Sequence, residues 1–223
     1  MRFTNDNFFT PSYKEESEEP EKVIIISCEG RNTEPEYFNN LKIILKDHIS
    51  AVIDVRVVPK DDNKSSPEDV VCKLDEYLLE KYDYKYEYDQ LWVVWDREKV
   101  DSRKKEILKM LPKCKEKNYN IALSNPLFEF WLLMHLVDIT IYSKEDLFAN
   151  KQISQKRKYI DKELSNLLDN GFNKKKGKFN KDIITIENVK RAISQEKLFE
   201  NDVNKIIDNL GSNIGSLVTQ IIS

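Results

Sequence analysis

The sequence predicts an α/β fold in which a mainly parallel central sheet is flanked by helices and followed by a C-terminal helical appendage. Three observations lead there. Short apolar runs alternate with helical patterns from Val23 to about residue 137, as βαβ units require. Two of those runs stop on carboxylates, at Glu29 and at Asp96-Arg97-Glu98. After residue 138 the strand signal fades and helical spacing with polar loops takes over.

Taken in order, Val23 to Cys28 is a continuous apolar run, the mark of a strand covered on both faces. Gly30 turns the chain. Thr33 to about Lys46 reads as a helix, with Thr33 as N-cap and Pro35 in the first turn, where proline is tolerated. Ala51 to Val58, rich in Val and Ile, is a second strand. Asp61 to Ser66 is a polar turn, and Ser66-Pro67-Glu68-Asp69 opens the next helix with a cap, an N1 proline and early acids. Leu91 to Trp95 is the third strand, Arg103 to Lys117 an amphipathic helix and Tyr119 to Leu123 a short fourth strand. Asn125-Pro126 then starts a strongly apolar helix through Phe128, Trp131, Leu132, Met134 and His135.

Further on, Lys144 to Phe148, Gln155 to Asp169 and Ile186 to Asp208 carry helical spacing. Gly171 to Lys181 is a basic loop, and a turn near Gly211 leads into a final short helix. The chain thus divides into a polar acidic segment (1–22), an α/β core (23–138) and a helical appendage packed on that core (139–223). No internal repeat is visible.

Composition narrows the class. A chain of 223 residues accommodates one large α/β domain, and 34% charged residues imply a heavily solvated surface. No run approaches the roughly 18 apolar residues that span a bilayer. The stretch from Met1 to Lys22 carries Glu15, Glu16, Glu18, Glu19 and Glu21 and lacks the apolar centre of a signal peptide, so a cytoplasmic location and no membrane partner are expected. Cys28, Cys72 and Cys114 are odd in number and far apart, which fits neither a disulfide framework nor a zinc site. Ending a buried strand, Cys28 reads as a small core residue. The net charge of -3, from 36 basic and 39 acidic residues, excludes a global electrostatic grip on nucleic acid but not local basic stripes. Neither GxxxxGK[ST] nor GxGxxG occurs, which argues against nucleotide hydrolysis by this chain.

The strand-end acids are the candidate site. Open α/β sheets bind ligands at the carboxyl ends of their strands. Asp96 and Glu98, one residue apart just past a strand, can face one cation, and Glu29 joins them if the two strands are neighbours. Mg²⁺ or Mn²⁺ prefers such oxygen ligands, positions phosphates and lowers the pKa of water, while a carboxylate outside the metal shell can act as acid or base. Each residue also has a plainer reading. A lone strand-end Glu is commonly a surface residue, and Asp96 alone would be a turn former. Glu129, in the first turn of the apolar helix, either joins the metal site or favours the helix dipole. His135 reads as a satisfied core histidine. Arg31, Arg97 and Lys99 could contact a phosphate or lie in solvated loops. Lys174, Lys175, Lys176, Lys178 and Lys181, interleaved with Phe172 and Phe179, either track a nucleic-acid backbone and stack a base or form a solvated loop.

Four ordered blocks also carry a resemblance. Cys28-Glu29-Gly30, Thr33-Glu34-Pro35-Glu36-Tyr37-Phe38, Trp95-Asp96-Arg97-Glu98 and Ser124-Asn125-Pro126-Leu127-Phe128-Glu129-Phe130-Trp131-Leu132-Leu133-Met134-His135 together resemble the RloB family. The AbiL second component of phage abortive-infection systems is similar. The blocks span residues 23 to 137, and Asn213 to Val218 loosely fits the family's ending. The resemblance implies a Toprim-like fold, related to domains of topoisomerases, primases and OLD-type nucleases. In that fold a glutamate follows the first strand and a DxD pair a later one. Glu29 maps onto the glutamate, as acid/base or metal ligand, and Asp96 with Glu98 onto the pair. The second acid here is Glu, which keeps the charge and lengthens the reach. The resemblance further implies an ABC/SMC-like or AAA-type ATPase encoded alongside and a Mg²⁺-dependent nuclease effector in antiviral defence, acting on RNA, including transfer RNA, or on DNA. A homo-oligomer is also open. The contrasting expectation is a degenerate Toprim-like module that regulates or scaffolds such an ATPase.

Overall fold

The computed structural model describes residues 20–60, 64–82, 88–155 and 157–222. Most of the acidic N-terminal segment (1–19), residues 61–63 of the expected polar turn and residue 156 of the expected helix from Gln155 lie outside the described residues.

Four strands and their crossover helices follow the expected order: β1 (Lys22–Cys28), α1 (Thr33–Ile44), β2 (Ile53–Val57), α2 (Pro67–Lys81), β3 (Gln90–Asp96), α3 (Asp101–Glu116), β4 (Asn120–Asn125) and α4 (Phe128–Leu136). They continue into α5 (Lys144–Ala149), a hairpin of β5 (Gln152–Ser154) and β6 (Arg157–Lys158), α6 (Tyr159–Leu167), α7 (Ile186–Glu196), α8 (Val203–Ile206), β7 (Gly211–Ser212) and α9 (Ile214–Ile221). The main sheet runs β2-β1-β3-β4-β7, parallel except for β7, which pairs antiparallel with the end of β4.

The two central strands β1 and β3 are buried on both faces. Ile24, Ile26 and Val94 pack with Tyr37, Phe38 and Leu41 of α1, with α4, and with apolar residues of α6, α7 and α9. Val23, Ile25, Val93 and Trp95 pack instead against Val70, Val71 and Leu74 of α2, Ile107 and Met110 of α3, and Ile206 of α8. This explains why β1 and β3 read as unbroken apolar runs. Every residue of α4 from Phe128 to His135 is buried, and α6 and α7 enclose it. Stripping its Trp131 or Phe130 to Ala would cost about 3–5 kcal/mol.

Several local expectations change. Asn32, not Thr33, occupies the cap position of α1, and no side chain caps it. Ser66 and Asp69 do form a reciprocal capping box on α2, with Pro67 at N1. α4 begins at Phe128, after Pro126. The segment around Gln155 is a β-hairpin turn before α6 starts at Tyr159. The helical stretch from Ile186 to Asp208 breaks into α7 and α8. Residues beyond 139 also complete the sheet, through β7.

Candidate active site

β1 and β3 are adjacent, with Cys28 opposite Val94, so the acids that follow them meet at one sheet edge. The Glu29 N–H continues the ladder to the Val94 carbonyl at 2.9 Å. Its side chain then turns across β3, accepting from the Asp96 N–H at 3.1 Å and pairing with Arg103 Nη2 at 2.9 Å. The Lys60 ammonium holds the Glu29 carbonyl from the other side. Asp96 Oδ1 accepts the Phe128 N–H at 2.8 Å and so tethers the start of α4 to the end of β3. Glu98 has φ 41°, a left-handed conformation costly for a residue with a Cβ. That kink lets Asp96 and Glu98 both line one cavity while Arg97 leaves it.

The cavity holds about 480 Å³ and is lined by Glu29, Glu34, Asp96, Glu98, Glu129 and Asp161 together with Arg31, Asn32, Lys60, Ser65, Lys158 and Lys174. Glu34 folds back so that Oε1 accepts the Gly30 N–H at 3.1 Å. A Cβ at Gly30 would meet the Glu34 carboxyl, so a larger residue there would push that side chain out of its present place. Lys174 bridges two carboxylates, Glu129 at 2.9 Å and Asp161 at 2.8 Å.

Burial and crowding raise the proton affinity of Glu29, Glu34 and Asp96. Glu29 is pushed up to about 8, first by burial and then by the Glu34 and Glu98 charges, against the pull of Arg103 and the Asp96 N–H. Glu34 reaches about 7 through burial and the charge of Glu129. Asp96 lies well above the usual carboxylate range, through burial and then Glu34, Glu129 and Glu29. Burial opposes the Lys174 charge, but Glu129 and Asp161 outweigh it and hold its pKa above the ordinary lysine value.

A family model described as RloB-like protein matches residues 24–221. The chain belongs to this family. No curated protein and no solved structure matches it.

Within this RloB-like chain the predicted residues separate. Glu29, Asp96, Glu98, Glu129, Arg31 and Lys174 share the cavity. Arg97 does not line it: the side chain is buried, Nε donates to the Ile207 carbonyl at 2.8 Å, and Nη1 donates to the carbonyls of Glu98 and Val100. The phosphate-contact reading of Arg97 is therefore corrected to a brace that pins the Asp96–Glu98 loop against the region of α8. Lys175, Lys176 and Lys178 are exposed outside the cavity, whereas Phe172 and Phe179 are buried in the core and offer no face to a base. His135 is fully buried, its Nδ1 on the Trp131 carbonyl at 2.9 Å and its Nε2 against the Tyr37 hydroxyl at 3.0 Å. Cys28 is a buried core thiol.

Sequence reasoning missed Glu34, Arg103, Lys60 and Asp161. Glu34 had a signal, being a first-turn acid within one of the blocks that carry the family resemblance, but first-turn acids ordinarily serve the helix dipole. Arg103 had a fainter one: a cation in the first turn of a helix opposes that dipole and asks for a partner.

The donor set suits a hard cation. All the acids are oxygen donors, and burial with mutual repulsion favours the arrival of positive charge. Among the described residues, however, no group of three or more Asp, Glu, His or Cys side chains is placed to hold a metal ion. Arg103 draws Glu29 aside, Gly30 draws Glu34, and Lys174 draws Glu129.

No helix among the described residues is long and apolar enough to cross a membrane.

Proposed function

We propose that this RloB-like protein is a divalent-cation-dependent nuclease of Toprim-like type, acting in the cytoplasm as the effector of an antiviral abortive-infection system. The observation that carries the reading is the group of buried carboxylates Glu29, Glu34, Asp96 and Glu129, crowded enough to raise the proton affinity of the first three, at the carboxyl edge of a parallel sheet and facing an open cavity with a basic rim. Asp96, Glu98 and Glu29 would hold Mg²⁺ or Mn²⁺, with Glu129 beside them. When bound, the cation would polarise a phosphodiester and lower the pKa of an attacking water.

The chain's own residues supply the rest. Arg31, Lys60 and Lys158 line the cavity and supply positive charge to draw in phosphate oxygens. Glu29, protonated up to about pH 8, can hold a proton at the site and release it when charge around it changes. Arg103 orients Glu29 toward β3. The preferred substrate is RNA, transfer RNA included, because disabling translation suits an abortive response; DNA is the competing substrate. An ABC/SMC-like or AAA-type ATPase would control the effector.

A second reading has its own observation in favour. Arg103 and Lys174 already neutralise acids that a metal would claim, as expected of a degenerate module that binds and regulates an ATPase without cleaving. Labelled RNA and DNA pools incubated with the purified protein in Mg²⁺, Mn²⁺ or EDTA separate the two. Cleavage that needs the cation and disappears in Asp96→Asn and Glu29→Gln supports the nuclease. Cleavage that persists in Asp96→Asn removes this site, and tight ATPase binding with no cleavage under any cation selects the regulatory module.

A further inference from the structure

We propose that the free edge of β2 is a self-pairing surface, on which a second copy of this chain adds its own β2, antiparallel and centred on Val55. The inference uses no residue of the cavity and stands apart from the cleavage reading above.

β2 closes one side of the main sheet, and among the described residues no strand lies beyond it. The Val52 carbonyl accepts the Lys22 N–H, and the Val58 N–H donates to the Ile26 carbonyl, so the even-numbered peptide groups face β1. By the two-residue period of a strand, the N–H and C=O groups of Ile53, Val55 and Val57 point away from the sheet. Two of them are engaged. The Ile53 N–H reaches the Ser50 carbonyl at 3.0 Å, and Lys42 Nζ donates to the Val55 carbonyl at 3.0 Å. A lysine over an edge is a common device against unwanted pairing. A carbonyl has two lone pairs, however, and Lys42 uses one. The Val55 and Val57 N–H groups still point outward, so two copies would bring two such donors each.

The charge pattern of the strand decides the occupant. β2 reads Ile53-Asp54-Val55-Arg56-Val57. Turned antiparallel on itself about Val55, it sets Ile53 opposite Val57 and Asp54 opposite Arg56, on both sides of the two-fold axis. Because Val55 points outward, the central pair is the hydrogen-bonded one. The Asp54–Arg56 pairs then fall at the other positions, where facing Cα atoms are only about 4.5 Å apart and side chains meet most closely. Centring the pairing on Asp54 or on Arg56 would instead put like charges face to face. Both side chains are held at the edge already: they pair within the chain at 2.6 Å, at 33% and 40% exposure, with Arg56 over the Tyr82 ring at 4.7 Å. On the opposite face of the strand, Ile53, Val55 and Val57 pack into the core that includes α1. Beside them opens a groove of about 400 Å³ lined by Ile43, Ile49, Ile53, Lys42 and Lys46, with Ile43 65% exposed. A paired copy would cover it. Antiparallel joining points the carboxyl edges of the two sheets in opposite directions, so each cavity would serve its own target.

Sedimentation velocity of the full chain over a concentration series, with amide exchange read residue by residue, tests this. The native protein should pass from monomer to dimer. The Val55 and Val57 amides should gain protection as it does, while those of Asp54 and Arg56, turned toward β1, should not change. Asp54→Arg and Arg56→Asp, each first shown to melt cooperatively, should each weaken self-association by about tenfold or more. An equimolar mixture of the two should associate as a mixed dimer, and the double variant should regain the native behaviour. No rearrangement within one chain makes two monomeric variants pair with each other. A native protein that stays monomeric at every concentration would overturn the proposal even if both variants failed to fold. Val55 and Val57 amides already protected in that monomer would assign the edge to another segment of the same chain. A native dimer indifferent to both substitutions would overturn it too, by placing the interface elsewhere.

Discussion

Arg103 Nη2 lies 2.9 Å from Glu29 Oε1, joining the end of β1 to the first turn of α3 across the neighbouring strand. Both side chains are largely buried, at 13% and 9% exposure. An arginine so near a helix N-terminus opposes the helix dipole, and Glu29 is what compensates it. Arg103→Met should therefore destabilise the protein by about 1.5–3 kcal/mol, the range for a hydrogen bond to a charged group. Arg103 lowers the Glu29 pKa, so its removal raises that pKa further, and the loss should be larger at pH 9 than at pH 6. Urea unfolding at the two pH values checks this. Equal losses would mean that Arg103 acts by packing alone.

The raised carboxyls set the direction of pH dependence. Glu29 moves from 4.5 to about 8, and Glu34 and Glu196 from 4.5 to about 7. In that window the unfolded chain has lost protons that the native protein still holds. Stability without metal should thus be greatest near or below pH 4.5 as far as these groups decide, and fall as pH rises toward 8, by on the order of 3–5 kcal/mol for each group taken singly. Melting curves in EDTA should show this slope. Mg²⁺ or Mn²⁺ should raise the melting temperature most above pH 7, where the acids are most charged.

Asp96 carries two roles that substitution can separate. Asp96→Asn keeps an oxygen that can accept the Phe128 N–H and removes a repelling charge, so without metal it should be as stable as the native protein or more so. Asp96→Ala loses the acceptor at the start of α4 and should cost about 1 kcal/mol. In both variants the rise in melting temperature with Mg²⁺ should be much smaller than in the native protein. A full Mg²⁺ response in Asp96→Asn would remove Asp96 from the metal site.

Glu98 separates backbone from side chain in the same way. Its φ of 41° strains any residue with a Cβ, whereas glycine adopts it freely. Glu98→Gly should be about 0.5–1 kcal/mol more stable than Glu98→Ala, because relief of the strain exceeds the extra chain entropy of glycine. Both should bind Mn²⁺ more weakly, and to the same extent. A weaker effect of glycine than of alanine on Mn²⁺ affinity would place the role in the loop geometry.

For the exposed lysines the prediction concerns salt. Neutralising Lys175, Lys176 and Lys178 together should weaken RNA binding and flatten the dependence of affinity on salt by up to about three units of slope, since each lost phosphate contact removes nearly one. Filter binding across a salt series reads this. Unchanged binding at every concentration would make those lysines purely solvated.

What could be read from the sequence follows from the range of the interactions. Glu29, Asp96 and Glu98 were legible because each stands where an apolar run stops, a local pattern. So was the cap at Ser66 with its N1 proline, whereas the reciprocal bond from Asp69 came only with the structure. Lys174 and Asp161 were not legible as partners of Glu129, because the three come from a loop and two helices that only the packing around α4 brings together. The basic loop looked like a surface for bases, yet core burial claimed both of its phenylalanines. β7 escaped notice because two residues carry no period; its antiparallel pairing with Ser124 and Asn125 is decided by tertiary context. Arg97 misled because its neighbours are acids, while its own partners are carbonyls distant in sequence or hidden in a turn.

α4 is buried from Phe128 to His135, with Glu129 lining the cavity, and its first N–H is held by Asp96. The Phe128 amide should therefore exchange its proton with water only when the whole domain opens. Such a helix has little freedom to change with a new target, since a bulkier or smaller residue anywhere along it disturbs the interior on several sides. Diversification of what the cavity accepts should fall instead to the β5–β6 hairpin, whose Gln152 and Gln155 are exposed and line the cavity without supporting the interior. Grafting that hairpin between RloB-like proteins is the economical route to altered target preference, with the acids left in place.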